Sequence, residues 1–228
     1  MKRFAVPIVV MASLLLGGPA VAAEREGVTV SGAGEAYGQP DLLTADFGVE
    51  SNAATVDAAL TTAGSAAARM RDALVRAGLG KADLQTSNAT IGSRTNDKQE
   101  ITGYTVSQGL TAKIRDLPKA GDLMSAAIAA GGDAARLNGV SFSIEDDAAL
   151  IAEARRKAFA DARAKAELYA GAADRKLGRV VRISESAPSW GGGPMAQDSM
   201  AASGARLVIE PGRQRLSATV TVEWAFQK

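Results

Sequence analysis

The side chains that most often carry nucleophilic, metal or proton-transfer chemistry are missing: the 228 residues contain no histidine and no cysteine. A Ser-His-Asp or Cys-His arrangement is therefore excluded, and zinc, copper(II) and iron sites lose their usual ligands. Carboxylate, lysine and methionine chemistry remains. The densest acidic run is Glu145-Asp146-Asp147. It could hold a hard cation, but a helix pattern begins there, and acids at that end complement the helix dipole. No calcium-loop spacing is present. Gly32-x-Gly34-x-x-x-Gly38 misses the dinucleotide fingerprint, because residue 37 is Tyr and no helix follows directly; the glycines read as turn geometry before a strand. Nothing marks two of the 25 acids as a glycosidase pair. Met195 and Met200 could bind copper(I) or be oxidised reversibly, but a floppy loop accounts for them. The expected catalytic, cofactor and metal sites are none.

The N-terminus reads as a secretory signal. Lys2 and Arg3 precede an apolar core from Phe4 to Leu16, broken only by Pro7 and Ser13, and Gly17-Gly18-Pro19 stops any helix. Ala20-Val21-Ala22 supplies the small residues signal peptidase requires, so the cut is expected after Ala22, with Ala23 as second choice. The apolar run is too short to span about 30 Å of hydrocarbon, and no later segment reaches the roughly 18 apolar residues of a membrane helix. The expected organisation is a signal peptide over 1–22 and one domain over 23–228, with no transmembrane anchor after cleavage. Cleavage removes two of the 26 basic residues and none of the 25 acids, leaving 24 against 25. A nucleic-acid or anionic-membrane binder would need a basic excess. A chain of this length buries roughly 70% of its unfolded surface, so its core suffices without disulfides in an oxidising compartment.

Pattern then sets the elements. Val28 to Gly32 alternates as a short strand, and a glycine-rich turn runs through Pro40-Asp41. Thr44 to Ser51 alternates again, with Ala45, Phe47 and Val49 on one face. Thr55 caps a helix whose apolar stripe is Val56, Leu60, Ala63, Ala67, Met70 and Leu74, and Gly78 ends it. Strands are expected over 83–94 and 101–114, around a polar tip at 95–98; Tyr104, Val106, Gln108, Leu110 and Ala112 share a face. Asp116 is the expected N-cap of a second helix with Pro118 in its first turn. Leu123, Ala126, Ala127 and Ala130 form its inner side. A strand over 137–144 leads into a long helix over 147–173. Its arc holds Leu150, Ile151, Ala154, Ala158, Ala162, Ala166, Tyr169 and Ala173, with Arg155 and Lys165 intruding. Alanines spaced strictly by four drift around a helix, making an oblique ridge suited to a twisted sheet. Val180 to Ile183 is a strand, and 188–205 a flexible low-complexity loop. Closing strands follow at 207–209 and 216–226, the last turning Ala218, Val220, Val222 and Trp224 inward. This order predicts an α+β fold with a mixed or antiparallel sheet, a βαββαβ unit in 43–145, and the long helix and last strands on that same sheet.

In this order and spacing the chain resembles the SIMPL (DUF541) family. The resemblance rests on Val30-x-Gly32-x-Gly34 with Pro40-Asp41, Asp83-Leu84-Gln85-Thr86, Gly103-Tyr104, Asn138-Gly139-Val140-x-Phe142, Leu177-Gly178-x-Val180 and Ile209-x-Pro211-Gly212. It covers about 28–226. It implies an exported α+β protein, periplasmic or outer-membrane-associated, that assembles into larger oligomers; some bacterial relatives are linked to oxidative-stress defence. It implies no catalytic residues. The tip at 94–100 is short and lacks the Pro and aromatic residues associated with many relatives. The expected function is a non-enzymatic, periplasmic, oligomeric protein with a structural or interaction role in the cell envelope. The alternative is a periplasmic module holding a small ligand or peptide on its sheet. The expected partners are copies of the chain, an envelope protein or a small ligand, and not nucleic acid. No cofactor is expected.

Overall fold

Alternating and helical spacings resolve into seven strands and three helices in the computed structural model, which describes residues 26–191, 207 and 209–227. The expected cleavage at Ala22 or Ala23, and residues 192–205 of the expected loop, lie outside these. The order is β1 (Gly27–Gly38), β2 (Leu42–Ala53), α1 (Val56–Arg76), β3 (Leu84–Thr95), β4 (Ile101–Ile114), α2 (Leu117–Gly131), β5 (Ala135–Ser143), α3 (Ala148–Ala172), β6 (Leu177–Trp190) and β7 (Gln214–Phe226). The fold is α+β, and every strand pair is antiparallel.

The βαββαβ unit forms a four-stranded sheet of order β3-β4-β2-β5. Each helix crosses over the strand that lies between its two flanking strands, the split βαβ arrangement. Phe47, Leu43, Ala45 and Val49 of β2 meet Met70 and Leu74 of α1 and Leu123 and Met124 of α2 in one core. The buried stripe of α1 is Ala59, Ala63, Ala66, Met70, Ala73 and Leu74. Leu60, expected inside, is exposed instead. Ala59 replaces it against the sheet, close enough for Ser51 Oγ to donate to the Ala59 carbonyl at 2.9 Å. In α2, Gly121 and Met124 are buried while Ala126 is not. Asp116 holds the N-cap position but makes no capping bond; its carboxylate pairs with Lys119 at 2.6 Å.

The expectation of a single sheet is corrected. The long helix and the last strands build a second, three-stranded sheet of order β1-β7-β6 with its own core. β7 is central, and its Leu216, Ala218, Val220, Val222 and Trp224 face α3. β1 runs on to Gly38, through glycines read as a turn, because it pairs with β7 along its whole length. β6 extends from Leu177 to Trp190, well beyond Val180–Ile183, by pairing with β7's other side. Residues 207 and 209 are not in a strand. They run against the first layer instead: Ile209 packs on its core, and a Cβ on Gly121 would stand 2.3 Å from the Leu207 carbonyl oxygen. Tyr169 and Ala173 are exposed, since the alanine ridge has by then drifted round to Ala170.

Candidate interaction surfaces

The acidic run joins the two layers. Arg115, at the end of β4, donates to both Glu145 oxygens at 2.7 and 2.6 Å and to Asp83 at 2.7 Å. This guanidinium holds the Glu145 carboxyl below its ordinary value. Asp41 accepts from the Glu145 backbone N–H at 2.8 Å, and Asp146 accepts from the Ala148 N–H at the start of α3 at 3.2 Å. Among the described residues no group of three or more acids is placed to hold a metal ion.

The glycines of β1 serve packing. A Cβ on Gly32 would stand 2.1 Å from the Ala158 carbonyl oxygen, and one on Gly34 2.2 Å from that of Ala154. Strand backbone and helix backbone therefore touch directly, with Ala154, Ala158, Ala162 and Ala166 filling the seam. The approach brings charged side chains of α3 to the free edge of β1. Lys165 Nζ donates to the Ser31 carbonyl at 3.1 Å, Asp161 accepts from the Ala33 N–H at 2.9 Å, and Lys157 Nζ donates to the Glu35 carbonyl at 3.0 Å. The i,i+4 pairs Glu153–Lys157 and Asp161–Lys165 also close, at 2.6 and 2.7 Å. Lys165 and the Ala33 amide together lower the Asp161 carboxyl from its ordinary value. Every second residue of this edge turns its amide and carbonyl outward, and Lys165, Asp161 and Lys157, four apart on α3, take the Ser31 carbonyl, the Ala33 amide and the Glu35 carbonyl in step. The sequence showed the spacing and the intrusion of Lys165; only the position of β1 gave them a purpose.

Because α3 lies over β1 and β7, it leaves β6 partly uncovered. A shallow cleft of about 220 Å³ opens there, lined by Phe159, Arg163, Glu167, Leu177, Gly178, Val180 and Trp224. Phe159 and Trp224 pack at 6.0 Å between ring centroids. Arg163 and Glu167 bind each other at 2.8 Å, and Arg155 binds Glu185 of β6 at 2.7 Å. The charges are thus self-paired, and the volume falls below the roughly 300 Å³ where small-molecule sites begin.

The four-stranded sheet has a polar open face away from its helices. Gly48 and Gly109 pair at its centre. The register breaks of the two edge strands fold polar side chains over them: Asn138 over Gly48, and Ser87 and Asn88 over Gly109. On the helix side α1 covers β2 and β4. β3 projects past it, and every residue of that strand after Leu84 is exposed.

Comparison with known proteins gives these surfaces a context. The family profile of SIMPL, described as a protein of unknown function (DUF541), matches residues 28–224. Two curated relatives are both named 26 kDa periplasmic immunogenic protein, one from Brucella melitensis biotype 1 and one from Brucella abortus strain S19. Each is 35% identical over 167 residues, which is 69% of this chain and 66% of the relative. The match thus spans just under two thirds of the length of those relatives.

Proposed function

The chain belongs to the SIMPL family, and from that premise we propose that it is an exported periplasmic protein that assembles with copies of itself and acts structurally, not by turning over substrate. Residues 1–22 are its signal peptide and 23–228 its mature unit. The name of the Brucella relatives, a periplasmic immunogenic protein, supports the compartment. The observation that carries the assembly is β3: a 12-residue edge strand exposed along its length after Leu84. A strand held by one neighbour and covered by nothing is a marginal element, and an edge of that kind is a template for another chain. The polar clusters support a non-enzymatic role, because the acids and bases of the junction, the helix ridge and the cleft are spent on one another.

Size-exclusion chromatography with light scattering on residues 23–228 tests the reading. The expected mass is a multiple of one chain, and a clean monomer at about 100 μM refutes it. A role in stress tolerance, and in oxidative stress first, goes with this reading. It predicts poorer survival of a deletion strain under peroxide, restored by the full-length gene. The alternative, a small ligand or peptide held on the sheet, predicts a thermal shift by mass action.

A further inference from the structure

Four strands form the sheet edges among the described residues, and three of them are defended. β1 is capped by the Lys157, Asp161 and Lys165 ladder. β6 breaks register three times against β7 and contains Pro188. β5 is nine residues long, breaks register at Asn138, and gives its Phe142 carbonyl to Gln214 Nε2. Bulges, proline and charge are the devices by which edges avoid pairing. β3 differs. Its register shifts at 87–88 and again at Arg94/Thr95, but it is regular from Ala89 to Arg94. From Leu84 to Ser93 it carries no charge and no proline.

The helix-side face of this stretch is apolar at one level. Ile91 shares a cross-strand row with Val106 and Ser51, and Ser51 bonds to Ala59 of α1. Ile91 is 51% exposed, and Leu60, the neighbour of Ala59, is 45% exposed. α1 thus ends one strand short of the edge, leaving two aliphatic side chains in water at the same height of the sheet.

We infer that Ala89–Ser93 is the self-association surface, pairing antiparallel with the same strand of a second copy about a twofold axis. This rests on the assembly reading above and names its contact. The occupant follows from charge and symmetry. An uncharged strand meets its own copy without like-charge repulsion, and an antiparallel pair of identical strands is isologous and closes. Side chains alternate across a strand, so residues 89, 91 and 93 of both copies share the helix side. There Ile91 and Leu60 of the two copies become mutual cover for a patch that water now holds.

The absence of cysteine makes the contact directly readable. Single substitutions Ala89→Cys, Thr90→Cys, Ile91→Cys, Gly92→Cys and Ser93→Cys, each in residues 23–228, are oxidised mildly and run on non-reducing gels. A twofold antiparallel pair brings one position opposite its own copy, within the Cα separation of about 4.4–6.8 Å that a disulfide bridges. Dimer should therefore peak at one or two adjacent positions and fall at least tenfold two residues away. In light scattering, Ile91→Lys should lower the mass with unchanged circular dichroism. Ile183→Lys, 57% exposed on the β6 edge, should leave the mass unchanged. An assembled protein with no cross-link peak, or one whose mass Ile91→Lys leaves intact, overturns the β3 contact and leaves the assembly reading standing. A monomeric wild type overturns both.

Discussion

Replacing Gly32 with alanine adds one methyl group where strand and helix backbones approach most closely among the described glycines. That carbon would stand 2.1 Å from the Ala158 carbonyl oxygen, 2.3 Å from the Ala162 nitrogen and 2.7 Å from the Ala162 Cβ. Ordinary contact begins at 3.4 Å, so α3 would have to retreat by about 1.3 Å at this level. Two of the three obstacles are backbone, so no rotamer change relieves them. Overpacking a close-packed core costs about 1–3 kcal/mol, and an obstacle that cannot rotate places this variant near 3 kcal/mol. At about 2–4 °C per kcal/mol for a chain of this size, the midpoint of thermal unfolding should fall by roughly 6–12 °C. The assay is a melt followed by circular dichroism at 222 nm, with Ala162→Gly added in a second variant. Removing the Ala162 methyl takes away one obstacle and leaves the two backbone atoms, so the double variant should not recover the loss. Gly32→Ala melting within about 2 °C of wild type, or full rescue by Ala162→Gly, would refute backbone-to-backbone packing as the reason for glycine at position 32.

Three further outcomes test other parts of the fold. Gly64 lies inside α1 with nothing within 4 Å of the position its Cβ would take, so Gly64→Ala should stabilise by about 0.5–1 kcal/mol in a denaturant titration. Asp161 is held below its ordinary value by Lys165 and then by the Ala33 amide. A lowered folded value means its contribution is complete above the unfolded value and lost as pH falls through the folded one. The melting difference between wild type and Asp161→Asn should therefore be full at pH 6 and shrink below about pH 4; a difference constant down to pH 2 contradicts this. Ser51 is the buried polar residue among the described residues, bonded to the Ala59 carbonyl. Ser51→Ala should cost about 0.5–1.5 kcal/mol by urea unfolding.

What the sequence revealed and what it hid divide along a physical line. Strict alternation located β7 and its inward set, because Ala218, Val220, Val222 and Trp224 face a core from a central strand with only one neighbour layer. The ridge Ala154–Ala170 was legible for the same reason: its spacing is local. The length of β1 was not, since glycines in a strand and in a turn look alike until the helix that needs them is placed. Leu60 misled because hydrophobicity measures preference for burial, while α1's approach was set by the smallness of Ala59. That one sheet would become two was hidden as well. The pairing of β1 with β7 joins residues about 190 positions apart, and no local period records such a pairing. The β3 surface was invisible in the same way, for exposure of a strand depends on how far a helix from elsewhere reaches.

The two sheets resolve one conflict in different ways. A helix laid on a sheet covers about two strands, so a third must either be protected or be used. In the small sheet, Gly32 and Gly34 draw α3 toward β1. The same close approach that fixes the helix lets Lys157, Asp161 and Lys165 reach the β1 edge, so packing and edge protection share one cause. Its consequence is that β6 is left out, and β6 carries the defects that discourage pairing: three register breaks and Pro188. In the larger sheet, α1 sits over β2 and β4 and leaves β3 out. β3 is the more exposed of the two strands, yet its six regular residues, Ala89 to Arg94, are free of proline and uncharged up to Ser93, whereas the regular run of β6, Arg182 to Ser186, includes Arg182 and Glu185. Both strands lie at the margin of their helix, so lack of cover alone does not decide which one is blocked. The difference lies in sequence, and a regular uncharged edge left in a fold that blocks its other edges is what a pairing surface requires.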